Sequence, residues 1–509
     1  MPEPQRLAVE ERLKFRTCSL TFLTLFALAP RLLGTICLPN AFGDAYAYSE
    51  QIYYLRRAIL DGTVSSSNVF GFWLPLYQAF CSLISTVTGA PFYIARLVPA
   101  VCGAGLCVFV FLVTRRLTIS LRWSLTAFFL ISLNPYHILY SSSAMTDVPH
   151  AFVVLVCAFC CIRDRWAAAS CLACAATLIR IESWVLVPLL PMLEYARTRR
   201  VSSSTILIPA IGPAAWLLIS WTATGDWWSY FEIRNEYIVQ SMAVAPQLQH
   251  LTAGRLAVDL VRLIYTANPI ILASCLGALG ALIWKWRSFD VKSRPTLSDD
   301  ELLLVFFVAN FSFLALAYIS GNQPDIWPRY GLILFALGLP LLLARLARSV
   351  AFPVANPSWR RSAIVALFAI QFGAQLIDSA RITLRRDPHR AVARFLSAEH
   401  LIDRTAPIYC DDSAARVLSG IPLEEFIDQY HSPPDKEAFA RLLEEKGVRF
   451  LVSDPSSTTK AGRFIGEIEG QPGRISLEPL LPRRGEASGG EIKLYRVHQQ
   501  EVSHSIMRW

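Results

Sequence analysis

The sequence predicts a mainly α fold: a polytopic bundle of about eleven transmembrane helices followed by a small α/β domain. Three observations carry this expectation. Hydrophobic residues make up 54% of the chain and charged residues only 17%, against about 25% charged in a soluble domain. The apolar residues fall in blocks of roughly 20, enough to cross a hydrocarbon core. Examples are "TILIPAIGPAAWLLISW" from Thr205 and "LLLVFFVANFSFLALAYI" from Leu302. Such blocks are apolar all round, not along one stripe as in the helices of a soluble core. The third observation is a change of composition after Ser379, where short apolar runs alternate with amphipathic ones.

Spans are expected near 17–38, 92–114, 123–140, 147–162, 166–180, 184–195, 204–223, 267–284, 302–319, 331–344 and 362–378. The first follows Arg6, Arg12, Lys14 and Arg16 and is long enough to span, so it reads as a helix that stays and not as a cleaved leader. With the N-terminus inside and an odd number of spans, the C-terminus lies outside. The charge pattern agrees: segments assigned inside carry 20 Lys and Arg, and the longer outer loops carry 7. The same clustering between apolar blocks removes the nucleic-acid partner that a net charge of +9 invites. The expectation is therefore a multi-pass protein of an inner or plasma membrane, with a transmembrane domain over 1–378 and an extracytoplasmic α/β domain over 379–509.

The first outer loop, about 39–91, holds two amphipathic stripes. Tyr48, Ile52, Leu55 and Ile59 make one, and Phe72, Leu76, Phe80, Leu83 and Val87 the other, with the polar turn "DGTVSSSN" between them. They read as juxtamembrane helices on the outer face. In the loop 224–266, Trp227, Trp228, Tyr230, Phe231 and Tyr237 suit an interfacial aromatic belt. In the final segment "DPHRAVARFLSAEH", "DDSAARVL" and "PDKEAFARLLEEKG" read as helices, and "APIYC", "VRFLVSD" and "EIKLYRV" as strands. Most of the 12 cysteines lie inside spans. Cys171 and Cys174 have no second pair, so they read as small buried hydrophobes and not as a metal or redox site.

Charges at the membrane edge are informative because hydrocarbon makes them costly. Asp44 follows the first span, and Arg31 and Arg96 lie within the first two. Asp147 sits in "SAMTDVPH", Arg180 and Glu182 in "LIRIES", and Asp325, Arg329 and Tyr330 in "NQPDIWPRY". Each has a structural reading: Arg31 and Arg96 snorkel to headgroups, Arg180 and Glu182 form a surface pair, and Asp147 caps a helix. Short loops pin them all to one face, and together they favour a site for an anionic lipid head. Trp73 and Tyr77 suit either stacking on a sugar or core packing. No Gly-rich nucleotide loop is present.

In "RLLGTICLPNAFGDAYAYSEQIYYLRRAILDG", "GFWLPLYQAF", "IARLVPAVCGAG", "SSSAMTDVP", "LIRIESWVLVPLLP" and "WPRYGLILFALGLP", the chain resembles the GT-C superfamily. This superfamily includes the protein O-mannosyltransferases and the aminoarabinose transferases of lipid A. The resemblance covers most of the first 380 residues. One departure stands out. Many members carry an Asp-Glu pair in the first loop, whereas here Asp44 is followed by Ala45 and the next carboxylate is Glu50.

The resemblance implies an inverting glycosyltransferase that moves a sugar from a polyprenyl-phosphate donor to an extracytoplasmic acceptor. Asp44 is then the general base, and Arg180, Arg329 and Arg96 hold the phosphate. Glu50, Trp73, Tyr77, Asp147, Glu182 and Tyr330 are further site candidates. No cofactor is implied; a divalent cation near Asp44 is compatible with the sequence but not demanded by it. Two other classes remain open, a lipid-linked oligosaccharide ligase or transferase and a transporter or flippase. A transporter would call for charges near the bilayer midplane and repeat symmetry, and neither is seen.

The topology is directly testable. Cysteines introduced as Gly62→Cys and Asp403→Cys should react with a membrane-impermeant maleimide in intact cells above the background of the parent chain. Asp290→Cys should react only after permeabilisation, and labelling there in intact cells would invert the assignment.

Overall fold

The computed structural model describes residues 3–71, 73–244, 252–287, 296–320, 328–351, 358–402, 407–428, 435–453, 464–465, 475–481 and 492–499. The chain forms two compact units. The first holds Met1–Ala41, Gln51–Val239 and Gln247–Arg381, and the second Phe42–Glu50, Gln240–Pro246 and Ile382–Trp509.

The first unit is helical. A helix stands at each of the eleven expected segments, and seven of the described helices are long and apolar enough to cross a membrane. The others are shorter, among them Asp147–Ile162 and Trp166–Thr177. Pro91–Thr118 is central and packs against Glu3–Cys37, Leu121–Ser132, Asp147–Ile162 and Tyr330–Ala351. Leu106, Cys107, Val110, Phe128, Val154 and Leu155 make the middle of this core and are fully buried. The opposite case is Ser203–Thr224, where Ile206, Leu207 and Ile211 are more than half exposed. An apolar helix with an apolar outer face is one solvated by lipid.

The expected third span, 123–140, is two helices, Leu121–Ser132 and Pro135–Ser141. Pro135 disfavours the helical conformation at the preceding residue, and Asn134 is extended. Its side chain accepts a hydrogen bond from the His137 amide at 2.9 Å and so caps the second helix. Arg31 lies at this break. It is fully buried, so it does not snorkel to a headgroup as expected. Its guanidinium donates to Ala27 O, to Ser132 O at 3.4 Å and to Cys107 Sγ at 3.2 Å, and lies 2.6 Å from His137 Nδ1.

The juxtamembrane helices are present as Gly43–Leu60 and Leu76–Thr88, with the short Ser66–Val69 between them. The loop after Thr224 is itself helical, as Ser229–Val244 and the amphipathic Ala253–Ala267. Trp221 and Trp227 stack there with ring centroids 5.4 Å apart.

The second unit carries a five-stranded sheet of β1 (Ile408–Cys410), β2 (Phe426–Ile427), β3 (Phe450–Ser453), β4 (Ile475–Leu481) and β5 (Lys493–Gln499), in the order β2-β1-β3-β5-β4. The first three strands are parallel, and β5 and β4 are antiparallel. Alternation along the strands builds a core on each face. Ile408, Cys410, Phe450 and Val452 join Val392 and Leu396 on one side, and Tyr409, Leu451 and Tyr495 join Phe439 and Leu443 on the other. The expected strands and helices are present; β2 and β4 are additional.

The packing at the break gives a stability test. A Cβ at Gly103 would stand 2.9 Å from both Arg31 Nε and Ser141 Cβ and would meet the Ser141 hydroxyl. Gly103→Ala should therefore destabilise the protein by about 1–3 kcal/mol, seen as a lower thermal midpoint in detergent. Gly280→Ala, where nothing lies within 4 Å, should not lower it.

Candidate functional site

The charged residues of the membrane edge are placed by helix ends. Asp147 is in the first turn of Asp147–Ile162, and His150 follows one turn later on the same face. The helix Trp166–Thr177 stops short, and Arg180 continues in extended conformation into the 3₁₀ turn Ile181–Val185, which carries Glu182 and Ser183. Arg329 and Tyr330 stand where the helix Tyr330–Ala351 begins.

Arg180 is the hub. Its Nε and one terminal nitrogen donate to the two oxygens of Glu182 at 3.2 and 2.7 Å. The other terminal nitrogen donates to Asp147 Oδ1 at 2.8 Å. The guanidinium also lies over the Tyr330 ring, 5.7 Å from its centroid, and Arg329 lies 5.5 Å from the same centroid. His150 Nε2 is 2.7 Å from the Ser183 hydroxyl. Asp147 Oδ2 is buried and makes no hydrogen bond among the described residues.

All of these groups except Ser183 line one small pocket of about 30 Å³, with Leu314 and Ile333 on its apolar side and Asn310 contributed by Asp299–Ile319. Its two carboxylates and two guanidiniums balance in formal charge. The electrostatics follow from the hub. Burial works against the charge on Glu182, but Arg180 beside it outweighs that and lowers the carboxyl to about 2. Arg329 and Tyr330 stand beside this ion cluster at the pocket.

The structure thus brings Arg180, Glu182, Asp147, Arg329 and Tyr330 together, and adds His150 and Asn310, which sequence reasoning missed. Two signals were available for these: His150 is three residues after Asp147, and Asn310 interrupts an apolar run. Arg96 does not line this pocket. It donates to Ser142 O at 2.9 Å and Gly34 O at 3.0 Å and so ties helix ends together. Tyr77 is buried and its hydroxyl donates to Ala95 O. Trp73 is half-buried and is not among the pocket residues. Asp44 and Glu50 belong to the second unit. Asp44 is half-buried in the first turn of Gly43–Leu60, and Glu50 pairs with Arg416. Asp325 lies outside the described residues.

The lowered carboxyl of Glu182 sets a pH dependence. A group whose pKa falls on folding adds stability above its unfolded pKa and loses it as pH drops through the folded one. The contribution of Glu182 is thus complete above its ordinary value of 4.5 and is lost as pH falls toward about 2. Glu182→Gln should lower the thermal midpoint at pH 7 and flatten its decline between those two pH values. A decline unchanged by the substitution would remove Glu182 from the ion cluster.

Comparison with known proteins agrees with this architecture. The family model described as dolichyl-phosphate-mannose-protein mannosyltransferase matches residues 77–177. No curated protein sequence matches the chain. Among solved structures, ArnT from Cupriavidus metallidurans bound to undecaprenyl phosphate aligns with a TM-score of 0.55 and 13% identity, over 94% of this chain and 98% of that one. Its apo state aligns at 0.52 and 14%, over the same shares. The chain is a multi-pass integral membrane protein that shares the ArnT fold over nearly its whole length and resembles the GT-C superfamily, with its match to the mannosyltransferase model confined to 77–177.

Proposed function

We propose that this protein is a membrane glycosyltransferase that takes a sugar from a polyprenyl-phosphate donor and passes it to an extracytoplasmic acceptor in the envelope, whether lipid, glycan or protein. The observation that carries this reading is the pocket in which Arg180 and Arg329 flank Tyr330 beside apolar walls. Cations next to an apolar surface at helix ends suit the phosphate of a lipid. The likeness to ArnT, whose crystal structure holds undecaprenyl phosphate, supports the same class of donor.

In this reading the N-terminus is cytoplasmic and the α/β domain lies outside. An acceptor hydroxyl or amine attacks the anomeric carbon from the face opposite the phosphate, so the configuration inverts. Asp44 takes the proton of the nucleophile as general base. The bond from the anomeric carbon to the phosphate oxygen breaks, and the charge that develops on the leaving phosphate is held by Arg329, supported by Arg180.

The roles separate by substitution. Asp44→Asn should lower transfer by about 10²–10⁴-fold and leave undecaprenyl phosphate binding intact. Arg329→Ala should weaken that binding. Arg180→Ala should instead destabilise the fold, because it leaves Asp147 and Glu182 as uncompensated buried charges. The assay is purified protein in nanodiscs with undecaprenyl-phosphate sugars and envelope extract, with product read by mass spectrometry. Full transfer by Asp44→Asn would remove the base. Movement of donor across the membrane with no new glycosidic bond would replace the enzyme reading with a flippase.

A further inference from the structure

Glu50 and Arg416 are 366 residues apart in sequence and meet in the second unit. Arg416 Nε and a terminal nitrogen donate to the two oxygens of Glu50 at 2.6 and 2.8 Å. The side chains are 3% and 9% exposed. The pair is therefore bidentate and desolvated, unlike a surface pair, which contributes little. Arg416 is itself held: it donates to Cys410 O at 2.7 Å and to Ser413 Oγ at 3.2 Å, and Asp428 lies 4.0 Å away. Its helix, Ser413–Ser419, is capped by Asp412, which accepts from the Ala415 amide at 2.6 Å.

Glu50 lies on the helix Gly43–Leu60, whose first turn carries Asp44. Six residues separate them, about 9 Å along the axis and about 120° around it. Glu50 therefore does not share a face with Asp44; its ion pair ties to Ser413–Ser419 the helix that carries Asp44. A second arginine stands near the same turn. Arg386 stands 3.9 Å from where a Cβ at Gly43 would lie, and its guanidinium is 3.4 Å from His389, which in turn lies 2.9 Å from Asp412. Asp412, which caps the helix of Arg416, thus also accepts His389, the neighbour of Arg386.

We propose that Arg416 is a positioning residue for glycosyl transfer, acting through its bidentate ion pair with Glu50 to orient the helix turn that carries Asp44. This rests on Asp44 being the base. On this account a residue of the α/β domain takes part in setting the attack geometry.

The test is a double-mutant cycle in nanodiscs with the full-length chain. Glu50→Gln keeps shape and removes the charge. It should lower kcat by about ten- to a hundredfold, the scale of a small misplacement of a reacting group. KM for an undecaprenyl-phosphate sugar should change less than twofold. Added to Asp44→Asn, it should cause no further loss, because the base it orients is already gone. An equal loss in both backgrounds, or no loss in either, would overturn the proposal. If Glu50→Gln fails to fold, Glu50→Asp keeps the charge at shorter reach and must show the same non-additivity. Arg416→Lys, which cannot make the two-pronged contact, must show it as well. Full activity in Asp44→Asn alone would fell the base assignment, a failure distinct from additivity between positions 44 and 50.

Discussion

A charge carried into lipid has no water to turn to, so its partner must be found within the protein. This constraint organises the first unit. Arg180 is shared by two carboxylates at 2.7 and 2.8 Å. Asp259, 2% exposed, is met by Arg255 at 3.7 Å and Arg262 at 3.2 Å, with the Tyr318 hydroxyl at 2.7 Å. Toward the opposite end of Asp299–Ile319, Lys285 pairs with Glu301 at 2.6 Å and Arg197 with Asp299 at 2.9 Å. Some of these pairs are local and others join separate helices, as Tyr318 joins Asp259, Arg197 joins Asp299 and Arg180 joins Asp147, and the pocket is built at the last of these.

The same constraint explains what was legible in the sequence. In apolar surroundings a charge stands out, so Asp147, Arg180, Glu182 and Arg329 were visible before any fold was known. The partner of each was not, because pairing depends on which helix ends meet. Glu182 was readable as a neighbour of Arg180, while Asp147 on another helix and Arg416 opposite Glu50 were not. Polar residues without charge were harder still. Asn310 blends into "FFVANFSF" and shows its position only once Asp299–Ile319 packs beside the 3₁₀ turn.

Fold elements followed a similar rule. Long apolar periodicity located the helices, but not the break at Asn134, where one proline outweighs a continuous apolar run. In the sheet, β1, β3 and β5 were visible as apolar runs. β2 has two residues and no period to detect. β4 contains Pro479, which ordinarily argues against a strand. It is tolerated because β4 is at the edge of the sheet, with an irregularity between Pro479 and Leu481.

The buried Arg31 bears on how the protein is made. It lies in the first apolar helix, and its nearest ring partner, His137, comes 106 residues later. During synthesis that helix enters the bilayer well before Pro135–Ser141 exists. An arginine in mid-helix costs about 2.5–3.5 kcal/mol at insertion, less toward an end, and the apolar residues of Leu20–Cys37 must offset it alone. Only when the broken segment arrives does the guanidinium reach Ser132 O and His137. The first helix is thus inserted in one environment and completed in another, and its hydrophobicity answers to the nascent chain as much as to the finished fold.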